Sequence, residues 1–171
     1  MANLRFLILI IAFSYSICGI MSEISLTCDF ERDTCGFTNQ EGLLALWVRK
    51  EMSLGGREGN VMGVETNGSS VQLARMMTPY FDDVHGTVDA CLSFDYFKEG
   101  EGVRSFSVQQ ERKFGITPIW LLSKPGRGWQ TPTVSVEVDE DSRFFFDAVL
   151  DASLENTTLA IDNMKVKLSK C

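Results

Sequence analysis

The sequence predicts an all-β fold, an antiparallel β sandwich of jelly-roll type, on three observations. Apolar residues recur at every second position in several short runs, the period of a half-buried strand. Glycine-rich turn segments separate those runs, and no stretch carries a sustained helical period. Four cysteines remain once an N-terminal leader is set aside, an even set of the kind that stabilises small secreted domains.

From the beginning of the chain, Arg5 precedes the apolar run Phe6-Leu7-Ile8-Leu9-Ile10-Ile11-Ala12-Phe13. A lone positive charge ahead of a short apolar run is the layout of a secretory signal peptide. Counted to Ile17 the run is about 12 residues, against the roughly 20 that a membrane-spanning helix needs. Residues 1–21 are therefore expected to be removed, with the cut between Cys18 and Ser22, where small residues cluster. No second stretch of spanning length follows, so the mature chain is expected to be secreted and extracellular and not to span a membrane. Removing the leader removes only Arg5 among the charges and moves the net charge from −7 to −8. An acidic chain is a poor partner for nucleic acid.

About 150 residues remain, enough for one domain with one core. Cys18 falls in or at the end of the leader, which leaves Cys28, Cys35, Cys91 and Cys171. Four cysteines allow three pairings, and the sequence alone does not choose among them. A local pair, Cys28 with Cys35, and a long-range pair, Cys91 with Cys171, form the arrangement that ties the C-terminus into the body. Chain entropy gives about 2.5 kcal/mol for the short loop and about 4.5 kcal/mol for the long one. Zinc is excluded by spacing: there is no C-x-x-C, and His85 is the only histidine. Asn67-Gly68-Ser69 and Asn156-Thr157-Thr158 are glycosylation sequons, expected on surface loops of a glycoprotein.

The strands follow in order. Leu92, Phe94 and Tyr96 alternate with Ser93 and Asp95, Phe106 and Val108 repeat the pattern, and Val134, Val136 and Val138 alternate with Ser135 and Glu137. Arg143 to Leu150, with three consecutive phenylalanines, is expected to be buried more completely. Turns are expected at Ser53-Leu54-Gly55-Gly56, Asn67-Gly68, Lys98 to Gly102 and Lys124 to Gly128. Near the end, Leu159 and Ile161 lie in one alternation phase while Met164, Val166 and Leu168 lie in the other. A β-bulge at Asp162 and Asn163 would absorb that slip.

Several blocks together resemble the MAM domain of meprins, neuropilins and receptor protein tyrosine phosphatases. They are Cys28-Asp29-Phe30-Glu31 with Cys35-Gly36-Phe37 and Trp47, Gly59 to Thr66, Ala74 to Pro79, and Cys91-Leu92-Ser93-Phe94-Asp95-Tyr96. Trp120, Gly128-Trp129, Leu159-Ala160-Ile161-Asp162-Asn163 and the terminal Cys171 complete the series. The resemblance runs from Cys28 to Cys171 in order, and so implies one domain over 28–171. It also implies a jelly-roll sandwich, the Cys28–Cys35 and Cys91–Cys171 bridges, a role in cell adhesion or extracellular matrix recognition, and no catalysis. Asn163 departs from the family pattern, which has a second aspartate there, and the segment before Leu159 lacks the usual glycines.

Asp29 and Glu31 are two apart and would share a face if their segment were extended, with Asp33 following. Some members of the family bind a cation near this end, and Glu65 and Asp162 would be further ligands if their strands converge there. Calcium is the candidate, since it takes six to eight oxygen ligands. For catalysis the inventory is poor: neither H-E-x-x-H nor G-x-S-x-G occurs, and any triad would have to use His85. The acids Glu137, Asp139, Glu140 and Asp141 read as a solvated turn. Trp47, Trp120 and Trp129 are expected mainly in the core. The expected function is non-catalytic recognition of an extracellular protein or of a second copy, giving a homo-oligomer. The alternative is a carbohydrate-binding or glycoside-active jelly roll, which needs an exposed tryptophan on a concave face.

Overall fold

The computed structural model describes residues 25–122, 128–154 and 156–171. The leader and most of the Lys124–Gly128 turn lie outside them. Twelve strands and no helix are found among the described residues. In chain order these are β1 (Ser25–Cys28), β2 (Thr38–Asn39), β3 (Leu46–Leu54), β4 (Arg57–Glu65), β5 (Val71–Met77) and β6 (Val88–Glu99). There follow β7 (Val103–Arg112), β8 (Gly115–Leu121), β9 (Gly128–Gln130), β10 (Thr133–Val138), β11 (Arg143–Asp151) and β12 (Thr158–Lys167).

The strands form two antiparallel sheets. One has the order β10-β6-β12-β4-β3, with β1 added on β12 and β9 on β6; the other has the order β2-β5-β11-β7-β8. Sheets that are half apolar must cover one face, and stacking the two apolar faces does this. Leu92, Phe94 and Tyr96 of β6 face Phe106 and Val108 of β7 and Phe144 and Phe146 of β11 across that core, all at most 3% exposed. Phe94 meets Phe146 edge-on at 5.2 Å and Trp120 at 5.3 Å, the arrangement that aromatic quadrupoles favour. The predicted β11 is the most deeply buried strand of its sheet, with Phe144, Phe145 and Phe146 all covered.

The bulge forms where the alternation slips: the β12–β6 register breaks between Asp162 and Lys165. Asn163 takes up the extra length at φ 47°, a left-handed conformation that asparagine tolerates better than most residues. The bridges are Cys28–Cys35 and Cys91–Cys171, with Cα separations of 6.0 and 4.8 Å. The second clips the C-terminus to β6.

The segment after Cys28 does not meet the condition under which Asp29 and Glu31 would share a face. It is not extended: Phe30 turns at φ 54° and Cys35 at φ 49°, and the Asp29 carboxylate accepts the Glu31 N–H at 3.1 Å. The turn buries the Phe30 ring completely and edges it against Phe37 at 5.5 Å. Asp29 and Glu31 therefore do not project side by side from a strand. Among the described residues, no helix is long and apolar enough to cross a membrane.

Candidate functional site

On the face of the larger sheet away from the core, β6 alternation carries Asp95 outward between the inward Phe94 and Tyr96. Its carboxylate is the centre of a cluster. Arg57 Nη1 donates to it at 2.7 Å, Asn163 Nδ2 at 3.0 Å, and the Thr131 hydroxyl donates to its other oxygen. Burial alone would raise the Asp95 pKa, but these three donors prevail and hold it below the usual carboxylate value. The bulge is what brings Asn163 into reach, so a backbone irregularity supplies one of the donors.

Asp162 beside it behaves oppositely. Burial raises its pKa, the neighbouring charges of Asp95 and Glu31 add to the effect, and the Asn163 N–H donating at 2.7 Å only partly offsets them. Glu31 reaches this region because Gly59, at φ +150°, leaves the space that a Cβ would fill against its carboxylate. That carboxylate accepts the Asn60 N–H at 3.2 Å, while Arg49 Nε donates to the Phe30 carbonyl at 2.6 Å and fixes the turn from behind.

Of the four predicted cation ligands, the structure brings Glu31 and Asp162 within each other's field. Asp29 is occupied by its own turn. Glu65 is paired with Lys50 at 3.1 Å and stands five residues along β4 from Asn60, roughly 16 Å at strand rise. Among the described residues, no three His, Cys, Asp or Glu side chains group as a metal-holding set. Calcium takes six to eight oxygens; Glu31 and Asp162, with Asp95 beside them, bring three carboxylates to this corner, and Arg57 already pairs with one of them. Asp95 was not among the candidates, although a carboxylate at the outward position of an otherwise apolar strand was a usable signal.

The tryptophans divide. Trp47 is 1% exposed and donates its Nε1–H to the Phe146 carbonyl at 3.1 Å, and Trp120 packs on the core rings. Trp129 lies on the outer face instead. One side meets Phe97 at 5.5 Å, the Arg57 guanidinium stands 4.8 Å over the ring, and Nε1 donates to the Leu54 carbonyl at 2.7 Å. The indole thus joins a small second apolar cluster with Leu54, Val61, Phe97 and Ala160, capped by a cation. It is not an open platform.

The outer face of the five-stranded sheet is likewise paired internally. Arg75 grips Asp147 through two bonds of 2.6 Å, and the Arg75 and Arg143 guanidiniums stand 4.9 and 5.0 Å from the Phe145 ring. His85 is exposed, and no nucleophile–base pair includes it among the hydrogen bonds of the described residues. The two sequons occupy one end of the sandwich. Asn67 and Asn156 are both exposed, and their loops are joined by the Ala152 N–H donating to the Ser70 carbonyl at 3.1 Å.

These features define a two-disulfide β-sandwich domain whose outer faces are closed by their own ion pairs. The chain belongs to the MAM domain (meprin/A5/mu) family, whose sequence pattern matches residues 28–171. No curated protein sequence matches it. Among solved structures it is similar to the K1 cleaved adhesin domain of Lys-gingipain from Porphyromonas gingivalis W83, at 14% identity and TM-score 0.57, covering 85% of this chain and 99% of that one. It is similar also to a xylan-binding domain from Paenibacillus barcinonensis, at 14% identity and TM-score 0.58, covering 87% and 97%. A cyclase from Fischerella sp. TAU matches at 12% identity and TM-score 0.58, covering 86% and 99%. At such identities the likeness is one of fold, and the fold serves adhesion, sugar binding and catalysis in different proteins.

Proposed function

We propose that this chain is a secreted, non-catalytic binding domain that recognises an extracellular protein or a second copy of itself. The observation that supports the reading is membership of the MAM family across the whole stapled sandwich, from the first bridge cysteine to the last. Two disulfides suit an oxidising, extracellular setting, and residues 1–21 supply the matching export signal. Asn67 and Asn156 are proposed as glycosylated, which would place both glycans at the same end of the molecule.

The carbohydrate reading rests on the shared fold with the xylan-binding domain. That reading needs an exposed tryptophan, and Arg57 covers the Trp129 ring, Trp120 packs on core rings and Trp47 is buried; this favours protein recognition. A glycan array probed with the oxidised protein tests the choice. The expected result is no saturable sugar binding, and binding that is lost in Trp129→Ala would reverse the preference.

A further inference from the structure

The β7–β8 hairpin ends at the pole opposite the sequons. β11 runs from Arg143, opposite Glu111, to Leu150, opposite Val103, so the 112–115 tip and the 139–142 turn share one end while the Asn67 and Asn156 loops share the other. At the tip, Arg112 faces Gly115, leaving Lys113 and Phe114 as the two loop residues. Two-residue hairpin loops favour asparagine and glycine, and nothing in this turn requires an aromatic side chain. Phe114 is nonetheless there, 96% exposed, with Ile116 beside it at 46%.

Phe114, Ile116, Glu140 and Asp141 all line an open groove of about 660 Å³ at this end of the sandwich. Arg112 lines it too. Its charge is already answered by Asp139 at 2.9 Å and Glu137 at 3.2 Å, and it also donates to the Thr87 hydroxyl at 3.3 Å. Glu140 and Asp141 are exposed and make no ion pair among the described residues. Lys113 is the one other cation on the lining, beside an acidic majority in a chain of net charge −7. An aromatic face in the same groove as two unneutralised carboxylates is complementary to one kind of side chain, a cation on an apolar stem.

We infer that this groove docks a partner protein presenting arginine or lysine flanked by apolar side chains, with Phe114 as the anchor. Exposed aromatics that become desolvated on binding are the residues on which interface affinity concentrates, and carboxylates at the rim steer and select a basic partner. The inference rests on the protein-recognition reading and places it at one end of the molecule. Sugars on the two sequons would leave that end uncovered.

The test uses the oxidised protein and an immobilised 12-residue peptide alternating arginine and leucine, beside peptides with glutamate or serine in place of arginine, read by interferometry. Saturable binding to the arginine peptide alone is expected. It should weaken at least tenfold in Phe114→Ala and in the pair Glu140→Lys with Asp141→Lys, and stay unchanged in Glu99→Lys with Glu101→Lys, which reverses charge at the other end. All these positions are exposed, so the variants should keep the parent melting temperature. Absence of binding, binding indifferent to Phe114, or an equal loss from the distant charge reversal would overturn the proposal. So would Phe114-dependent self-association in sedimentation, or Phe114-dependent binding to phosphatidylcholine–phosphatidylserine vesicles, since either identifies a different occupant. Glycan binding alongside intact Phe114-dependent peptide binding would sink the broader reading and leave this groove standing.

Discussion

Asp95 and Asp162 are neighbours across β6 and β12 whose carboxyls are pushed in opposite directions, and their pH behaviour separates them. Asp95 has a lowered pKa in the folded state, so its contribution to stability is present above the ordinary carboxylate value and is lost as pH falls through the lower folded value. Asp162 has a raised pKa, so its contribution is present at low pH and is lost as pH rises through the raised folded value. Asp95→Ala leaves Arg57, Thr131 and Asn163 without their acceptor and should lower stability at pH 7 by about 1–3 kcal/mol. Asp162→Asn keeps the acceptor for the Asn163 N–H and should raise stability at pH 7, a gain that disappears in acid. Urea unfolding of both variants across pH 3–7 checks the two signs. If Asp162→Asn is destabilising at neutral pH, the charge account of this cluster fails. Calcium added to the chelated protein is expected to give neither binding heat nor a rise in melting temperature; a clear rise would show that oxygens beyond Glu31 and Asp162 complete a site.

At the scale of elements, the two bridges act on loops of very different length. Replacing Cys91 and Cys171 together by serine should cost about 4.5 kcal/mol, against about 2.5 kcal/mol for Cys28 with Cys35, as chemical denaturation would show. A larger loss from the short bridge would mean that the buried Phe30 turn depends on it for more than chain entropy. Much of this scale was readable in the sequence, because strand alternation and the phase slip at Asp162-Asn163 report directly on which face is buried. Whether the Asp29–Glu31 segment is extended was left as a condition, and nothing local announced that Phe30 would be pulled inward at a left-handed turn. Asp95 was missed as a site residue for a related reason. Periodicity places a residue on a face but does not say which other strands bring partners to it. The Asp95 cluster draws donors from β4, from the bulge in β12 and from the segment after β9, separated by up to 68 positions.

The described chain is a stapled sandwich whose two broad faces each carry an arginine–aspartate pair, Arg57 with Asp95 and Arg75 with Asp147. Its ends differ: sequon loops occupy one, and the Phe114 hairpin with the 139–142 turn occupies the other. Mature protein recovered from a secreting host should begin between residues 19 and 22 and lose glycan mass in steps with Asn67→Gln and Asn156→Gln, both read by mass spectrometry. The central claim is that this MAM domain recognises protein and not sugar. It is tested most directly by passing extracellular-fluid proteins, intact and enzymatically deglycosylated, over the immobilised oxidised chain. Retention that survives deglycosylation and is lost when the disulfides are reduced is the predicted result. Retention abolished by deglycosylation, or by competing xylan oligosaccharides, would contradict it.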